Sequence, residues 1–425
     1  MTIVLLIIFI AGYLAIAFEQ PLRVNKAASA LITGVLCWTI YIIQSSDAHA
    51  VSEALQHGFG EIASILFFLL GAMTIVELID SHNGFYIITQ QINTKSKRKL
   101  LFLVAIITFF LSALLDNLTT AIVMTSLCVK LLTDKEDRIW FAGAIIIAAN
   151  LGGAWSPLGD VTTTMLWIGG QITPLNIIFT LFIPCLLACI IPLWIISMRF
   201  KGKTLEAIPV HDTTVAEKRE GKIILIAGLG FLLFVPLFKS ITHLPPFMGM
   251  LLALGIMWVI TTIIHKNKDA EYKEKYTVAR ALQKIDTPSI LFFVGILLAV
   301  AALQSSGLLK SMAVFLNDHF KNDYIIGTIL GLLSSVVDNV PLVAASQGMY
   351  NLSDYPTDHP FWEFLALTTG SGGSIIIIGS AAGVAVMGIE QISFVWYLKK
   401  ISWIALTAFV IAIGVFLLQQ LLLGW

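Results

Sequence analysis

Hydrophobic residues along this chain come in long blocks with short polar breaks between them, and block length predicts the elements. Ten blocks, at 2–18, 27–44, 61–80, 139–165, 176–198, 222–240, 247–264, 288–304, 362–388 and 401–424, are long enough for helices that cross a bilayer, which takes about 20 residues. Two further apolar stretches, 100–132 and 324–350, are interrupted halfway by a polar pair, Asp116-Asn117 in one and Asp338-Asn339 in the other. A carboxylate at the middle of a span costs about 2.5–3.5 kcal/mol on insertion scales. Two such costs at matching points argue for a role. Each interrupted stretch is predicted to be a helical hairpin that enters and leaves the membrane on one side.

Composition excludes a soluble protein of ordinary make-up: 57% of residues are hydrophobic, 12% are charged and the mean hydropathy is +0.89. Zero net charge gives no sign of a nucleic-acid partner; the partner expected is the lipid bilayer. Cys37, Cys128, Cys185 and Cys189 all lie in apolar runs and read as packing residues rather than as a disulfide or metal site. The first block lacks a positive leader and a small-residue cleavage site, so it reads as a retained helix.

Positive charge assigns the sides. Lys95, Lys97, Arg98 and Lys99 precede the first hairpin, and Lys130, Lys135 and Arg138 follow it, so both its ends are expected in the cytoplasm. Extending that assignment puts both termini outside and the loops at 19–26, 81–99, 130–138, 199–222, 265–287 and 389–400 inside. Those loops hold 23 of the 26 Lys and Arg residues, leaving Lys239, Lys310 and Lys321 outside.

The two halves repeat. Ser64-Ile-Leu-Phe-Phe68 recurs verbatim as Ser289-Ile-Leu-Phe-Phe293, an offset of 225; the Asp-Asn pair returns at 222; Asn150-Leu-Gly152-Gly153-Ala154 aligns with Gly370-Ser371-Gly372-Gly373-Ser374 at 220. Five spans per half is an odd number, so the halves are expected to be inverted in the membrane. The fold class is thus an all-α polytopic membrane protein of two inverted repeats, each with a re-entrant helical hairpin and an interrupted helix. Residues 1–200 form the first repeat (spans 2–44, hairpin 100–132, interrupted helix 139–165). Residues 201–221 are a cytoplasmic linker. Residues 222–425 form the second repeat (spans 222–264, hairpin 324–350, interrupted helix 362–388).

Each half then supplies two helix breaks at membrane depth, a hairpin tip and a Gly-Gly interruption. Such breaks free backbone carbonyls that lipid cannot satisfy, so they survive only against protein or a wet cavity. The polar side chains there are Asp116, Asp338 and Asp160, with Asn117, Asn339, Asn150, Ser112, Ser334, Thr119, Thr120, Thr162, Thr163, Ser371 and Ser374. No Lys, Arg or His stands near any break in the sequence. An oxygen cage with carboxylates suits a hard cation such as Na⁺ rather than an anion or a soft metal. A proton is the other ligand such a carboxylate accepts, so competition between Na⁺ and H⁺ for Asp116 and Asp338 would couple the two. No resident cofactor is called for. Asp160 has no acidic counterpart, its aligned partner being Ser380.

The tips Leu-Asp116-Asn117-Leu-Thr-Thr and Val-Asp338-Asn339-Val-Pro-Leu, with Asn150-Leu-Gly-Gly-Ala-Trp-Ser-Pro-Leu-Gly-Asp160-Val-Thr162-Thr163, resemble the NhaD-type Na⁺/H⁺ antiporters of the ion transporter superfamily. The resemblance covers essentially the whole chain. It implies a multi-pass protein of a prokaryotic plasma membrane that expels Na⁺, and Li⁺, in exchange for H⁺. It assigns ion handling to Ser112, Asp116, Asn117, Asn150, Asp160, Thr162, Thr163, Ser334, Asp338, Asn339, Ser371 and Ser374, with Na⁺ at Asp116, Asn117, Asp338 and Asn339. By analogy within the superfamily it also implies a homodimer and an elevator motion of the hairpin-bearing part.

Plainer readings stand beside these. Asp116 and Asp338 can simply cap the helices that follow them. Glu77, Asp80, Glu61 and Glu363 sit near span ends, where solvated carboxylates are ordinary. His57 and His82 flank the third span and read as loop histidines; 266–284 reads as an inner loop with an amphipathic surface helix. A Na⁺-coupled carboxylate or oxyanion transporter is the rival on the same fold. An enzyme, specifically an intramembrane aspartyl protease using Asp116 and Asp338, is the rival of another class, and it lacks the Gly-x-Gly-Asp signature.

Overall fold

The computed structural model describes residues 2–85, 94–204, 215–269, 272–273 and 276–423. Among these the fold is all helical, with one isolated antiparallel bridge between Ser96 and Thr204. The first half runs α1 (Thr2–Ala17), α2 (Glu19–Leu22), α3 (Lys26–Gln44), α4 (Ala48–Ser81), α5 (Lys97–Leu115), α6 (Asn117–Leu131), α7 (Lys135–Ala154), α8 (Val161–Ile168) and α9 (Pro174–Ser197). The second runs α10 (Val215–Thr242), α11 (Pro246–Ile264), α12 (Val278–Lys284), α13 (Thr287–Ser305), α14 (Leu308–Phe320), α15 (Asp323–Leu333), α16 (Asn339–Met349), α17 (Pro360–Gly372), α18 (Ala381–Glu390), α19 (Phe394–Lys400) and α20 (Ser402–Leu423). The central part of the linker, 205–214, and Glu271 and Glu274 of the inner loop lie outside the described residues.

Most helix ends fall within a few residues of the apolar blocks; α10 begins seven residues before the predicted 222, α14 fills a gap between two blocks, and α4 begins thirteen residues before the predicted 61. Its first turns are polar (His49, Ser52, Glu53, Gln56, His57), so hydropathy gave no signal there; Asp47 caps the helix by accepting the Ala50 amide at 2.9 Å. Eight described helices are individually long and apolar enough to span, nine if α18 and α19, bent by 114°, count as one. One of the eight is α5, the first limb of the first interrupted stretch. Lys97 at the start of α5 pairs with Asp137 beyond the end of α6, so the two ends of the stretch lie close together.

The outer surface of the bundle is apolar, with Phe179, Ile226 and Leu421 among side chains left exposed, as lipid contact requires. Ion pairs join several of the polar segments. Lys97–Asp137, Lys203–Asp137, Arg199–Glu136, Arg138–Glu390, Lys268–Glu220 and Lys284–Glu77 each join two segments assigned to the same lysine-rich side. On the opposite face, Asp358 accepts the Thr173 amide and hydroxyl at 2.6 and 2.8 Å, Asn176 donates to Glu363 at 2.7 Å, and Lys239 donates to the Trp167 carbonyl at 3.0 Å.

His82 departs from the loop reading. It is buried just beyond α4, its Nδ1 lies 2.6 Å from the Leu78 carbonyl, and its Nε2 lies 3.2 Å from Nε2 of His265, just beyond α11. The carbonyl fixes the Nδ1–H tautomer, so in the neutral pair His265 donates and His82 accepts. Burial pushes the His82 pKa down to about 4, and burial lowers that of His265 as well. A histidine depressed when folded binds fewer protons folded than unfolded, so its stabilisation is present above about 6.5 and is lost as pH falls toward 4. The effect is on the order of 3 kcal/mol at most. In detergent, the Tm of wild type should therefore drop between pH 7.5 and 5, and His82→Gln should flatten that drop; an identical drop in the variant would assign it elsewhere.

Candidate functional site

The four breaks meet. α5 ends at Asp116 and α6 restarts at Asn117; α7 ends at Ala154 and α8 restarts at Val161; α15 ends at Leu333 and α16 restarts at Asn339; α17 ends at Gly372 and α18 restarts at Ala381. What lets them approach is glycine. A Cβ on Gly152 would lie 2.3 Å from the Phe109 carbonyl oxygen, and one on Gly372 would lie 2.0 Å from the Gly331 oxygen, so α7 touches α5 and α17 touches α15 backbone to backbone. The serines repeat the pattern: Ser112 Oγ donates to the Ala149 carbonyl at 2.6 Å and Ser334 Oγ to the Thr369 carbonyl at 2.8 Å. These contacts pair residues at the same 220–222 offsets that relate the two halves in sequence.

At the junction stands Asp160, 2% exposed. One of its oxygens, Oδ2, accepts Asn117 Nδ2 at 2.9 Å and Asn339 Nδ2 at 3.0 Å. A single carboxylate thus receives an amide from each tip. Its other oxygen accepts the Thr162 amide at 3.1 Å, capping α8. Asn117 also donates to Asn150 Oδ1 at 3.1 Å, and Asn150 Nδ2 donates to Ser374 Oγ and Ser380 Oγ, both at 2.9 Å. All these residues are buried. The network crosses between halves twice, at Asp160–Asn339 and at Asn150–Ser374/Ser380.

The structure therefore brings together Asn117, Asn150, Asp160, Asn339 and Ser374. It adds Ser380, which sequence reasoning noted only as the counterpart of Asp160; its place in the same motif was the available signal. The two tip aspartates do something else. Asp116 accepts the Thr119 amide at 2.7 Å and the Thr119 hydroxyl at 2.8 Å, capping α6. It does so at φ 109°, ψ 154°, a region that costs a non-glycine residue on the order of 1–3 kcal/mol and that persists where the surroundings enforce it. Asp338 caps α16 through the Val340 amide at 3.2 Å. Both therefore perform the capping that the plainer reading gave them.

The expectation that no Lys stands near a break is corrected. Lys26 Nζ is 3.7 Å from Asp338 Oδ2, a pair separated by 312 positions and invisible to local pattern. The remaining hydroxyls divide in two. Thr163 donates to the Asp160 carbonyl at 2.9 Å and Ser371 to the Leu367 carbonyl at 2.5 Å, while the Thr162 hydroxyl lies beside the Asp160 carboxylate and the buried Thr120 hydroxyl has no hydrogen-bond partner among the described residues. Glu363, expected at a solvated end, is buried with one oxygen on Asn176 and the other unpartnered. Glu77 is interfacial as expected, paired with Lys284 at 3.0 Å.

An all-helical membrane protein with broken helices around a buried polar centre belongs to the class of membrane transporters. Comparison with known proteins narrows this. The family model described as citrate transporter (CitMHS) matches residues 5–370. Sodium/proton antiporter 2 of Arabidopsis thaliana is 43% identical over 97% of this chain and 98% of its own length, and sodium/proton antiporter 1 of the same plant is 44% identical over 97% and 71%. The Na(+)/H(+) antiporter NhaD of Vibrio cholerae is 30% identical over 97% of this chain and 91% of its own. The chain belongs to the CitMHS family, among relatives that include the NhaD-type Na⁺/H⁺ antiporters.

Proposed function

We propose that this chain is a secondary transporter that exchanges Na⁺, and also Li⁺, for H⁺. The observation that carries the reading is the single carboxylate, Asp160, held between an amide from each hairpin tip. Two N–H donors balance its charge. An amide turned about its last bond presents oxygen instead of nitrogen, so Asn117 and Asn339 can trade their hydrogen bonds for two ligands to a hard cation. The Thr162 hydroxyl beside Asp160 and the buried Thr120 hydroxyl are further oxygen donors in these helices. A proton on the carboxylates removes the charge that holds Na⁺, and Na⁺ removes the place for the proton. Exchange follows if the empty, fully ionised site cannot change its facing.

We assign the site to Asp160, Asn117, Asn339, Asn150, Ser374 and Ser380, with Asp116 and Asp338 supplying charge from the adjoining helix starts. The same reading keeps two inverted repeats, 1–200 and 222–425, with 2–44 and 222–264 as scaffold and the hairpins moving as an elevator in a homodimer. It places the protein in a prokaryotic plasma membrane with both termini outside.

The family description favours one second reading, uptake of citrate or another carboxylate. A carboxylate substrate would have to approach Asp160, and the nearest cation at the breaks, Lys26, is already paired with Asp338. The protease reading requires Asp116 and Asp338 to share a proton, whereas each is engaged with its own helix.

Inside-out vesicles with an imposed pH gradient test the proposal. Na⁺ and Li⁺ should dissipate the gradient in a protein-dependent manner, with an apparent Na⁺ KM that rises as pH falls. No response to either ion at any pH, together with accumulation of radiolabelled citrate, would replace exchange with anion uptake.

A further inference from the structure

Lys26 opens α3 and is held there by two local contacts: Asn25 caps the helix through the Ala27 amide, and the Lys26 amide donates to Glu19 at 3.1 Å. A cation at a helix N-terminus faces the positive end of the dipole and is disfavoured, so its placement calls for a compensating group. The ammonium has two. It lies 3.7 Å from Asp338 and 4.5 Å above the centre of the Phe292 ring. It also borders a cavity of about 180 Å³ that reaches Leu118, next to the Asn117 of the other tip, and Ala381 at the start of α18. The acidic groups on that cavity are otherwise engaged, Glu19 with the Lys26 amide and Asp286 with the amide and hydroxyl of Ser289.

Tip one has nothing comparable. Asp116 is held by the Thr119 amide and hydroxyl and by the Leu118 amide, with no ion pair among the described residues. In the second half, α11 stands at α3's sequence position and begins Pro246-Phe247-Met248, with no cation. The two tips are therefore electrostatically unequal, and the inequality comes from one residue.

We propose that Lys26 is a tethered counter-cation: its ammonium balances Asp338, and a transported cation must displace it to draw on that carboxylate. This rests on the exchange reading above and deepens it. Its ammonium competes with Na⁺ for the same carboxylate. Its competition weakens Na⁺ binding enough for the ion to leave. It also makes the Asp116 side the tighter half of the site. Phe292 gives the displaced ammonium a face to rest against.

Two substitutions should move Na⁺ affinity in opposite directions. Lys26→Gln removes the competitor, and the apparent Na⁺ KM should fall about tenfold, a coupling of ordinary size. Lys26→Arg offers a weakly hydrated fork that holds a carboxylate more firmly, and the KM should rise roughly threefold. A merely structural lysine would alter turnover or expression in both variants without this opposed shift. An unchanged KM in Lys26→Arg, or a shift in the same direction in both, overturns the proposal; should Lys26→Gln not accumulate, the arginine variant alone decides. Na⁺-dependent thermal stabilisation of purified protein reads the same affinities without transport. Failure of wild-type exchange would thus be told apart from failure of the role assigned to Lys26.

Discussion

Asp160→Asn abolishes Na⁺-driven proton exchange and lowers Na⁺ affinity by roughly a hundredfold: that is the expected result of removing one charge from the centre. Asparagine offers a cation one neutral oxygen where the buried carboxylate offers two that share a charge. A loss of about 3 kcal/mol in that interaction corresponds to two decades in a binding constant. An asparagine there keeps the shape and the cap on α8, so the purified variant should elute as wild type does while showing no Na⁺-dependent rise in Tm. The same substitution at Asp116 separates two roles in one measurement. Asparagine caps a helix about as well as aspartate, so Asp116→Asn spares the Thr119 contact and removes only the ionic charge. Its Tm should stay within about 2 °C of wild type while exchange is lost. Persisting exchange would reduce Asp116 to a cap.

The second large effect is structural. Gly372→Ala should prevent recovery of monodisperse protein, because its Cβ would sit 2.0 Å from the Gly331 carbonyl oxygen, and backbone, unlike a side chain, cannot rotate away. Gly152→Ala, at 2.3 Å from the Phe109 oxygen, should behave alike. Overpacking against side chains costs about 1–3 kcal/mol; a backbone obstacle on both sides should exceed that. Gly230 serves as the control: a Cβ there meets nothing within 4 Å, and alanine inside a helix should be neutral or slightly stabilising. Size-exclusion profiles and Tm of the three variants decide it. Equal behaviour of Gly230→Ala and Gly372→Ala would mean that the close approach carries no weight.

Much of the fold was legible because the signal for a span is local and strong. Block length gave the spans, and the Asp-Asn and Gly-Gly interruptions gave the breaks. The start of α4 was missed because its first turns are polar, and a helix that leaves the apolar layer loses the pattern that announces it. At the site, sequence supplied the participants and missed their arrangement. Repetition drew attention to Asp116 and Asp338, yet the unrepeated Asp160 is where the amides converge, since a single central position can be filled from only one half. Lys26 with Asp338 and His82 with His265 are contacts across 312 and 183 positions. Neither has a periodicity to betray it.

Gly370 aligns with Asn150, a bare position opposite an amide. A Cβ at 370 would stand 2.9 Å from Ala154 Cβ, so the space a second amide would need is already occupied. The centre therefore requires the two halves to differ at this pair of positions. The molecule thereby acquires a polarity that its repeats lack, one half reaching across and the other being reached. Exchanging the two identities, Asn150→Gly with Gly370→Asn, would ask whether that polarity can be reversed or has since been built into everything around it.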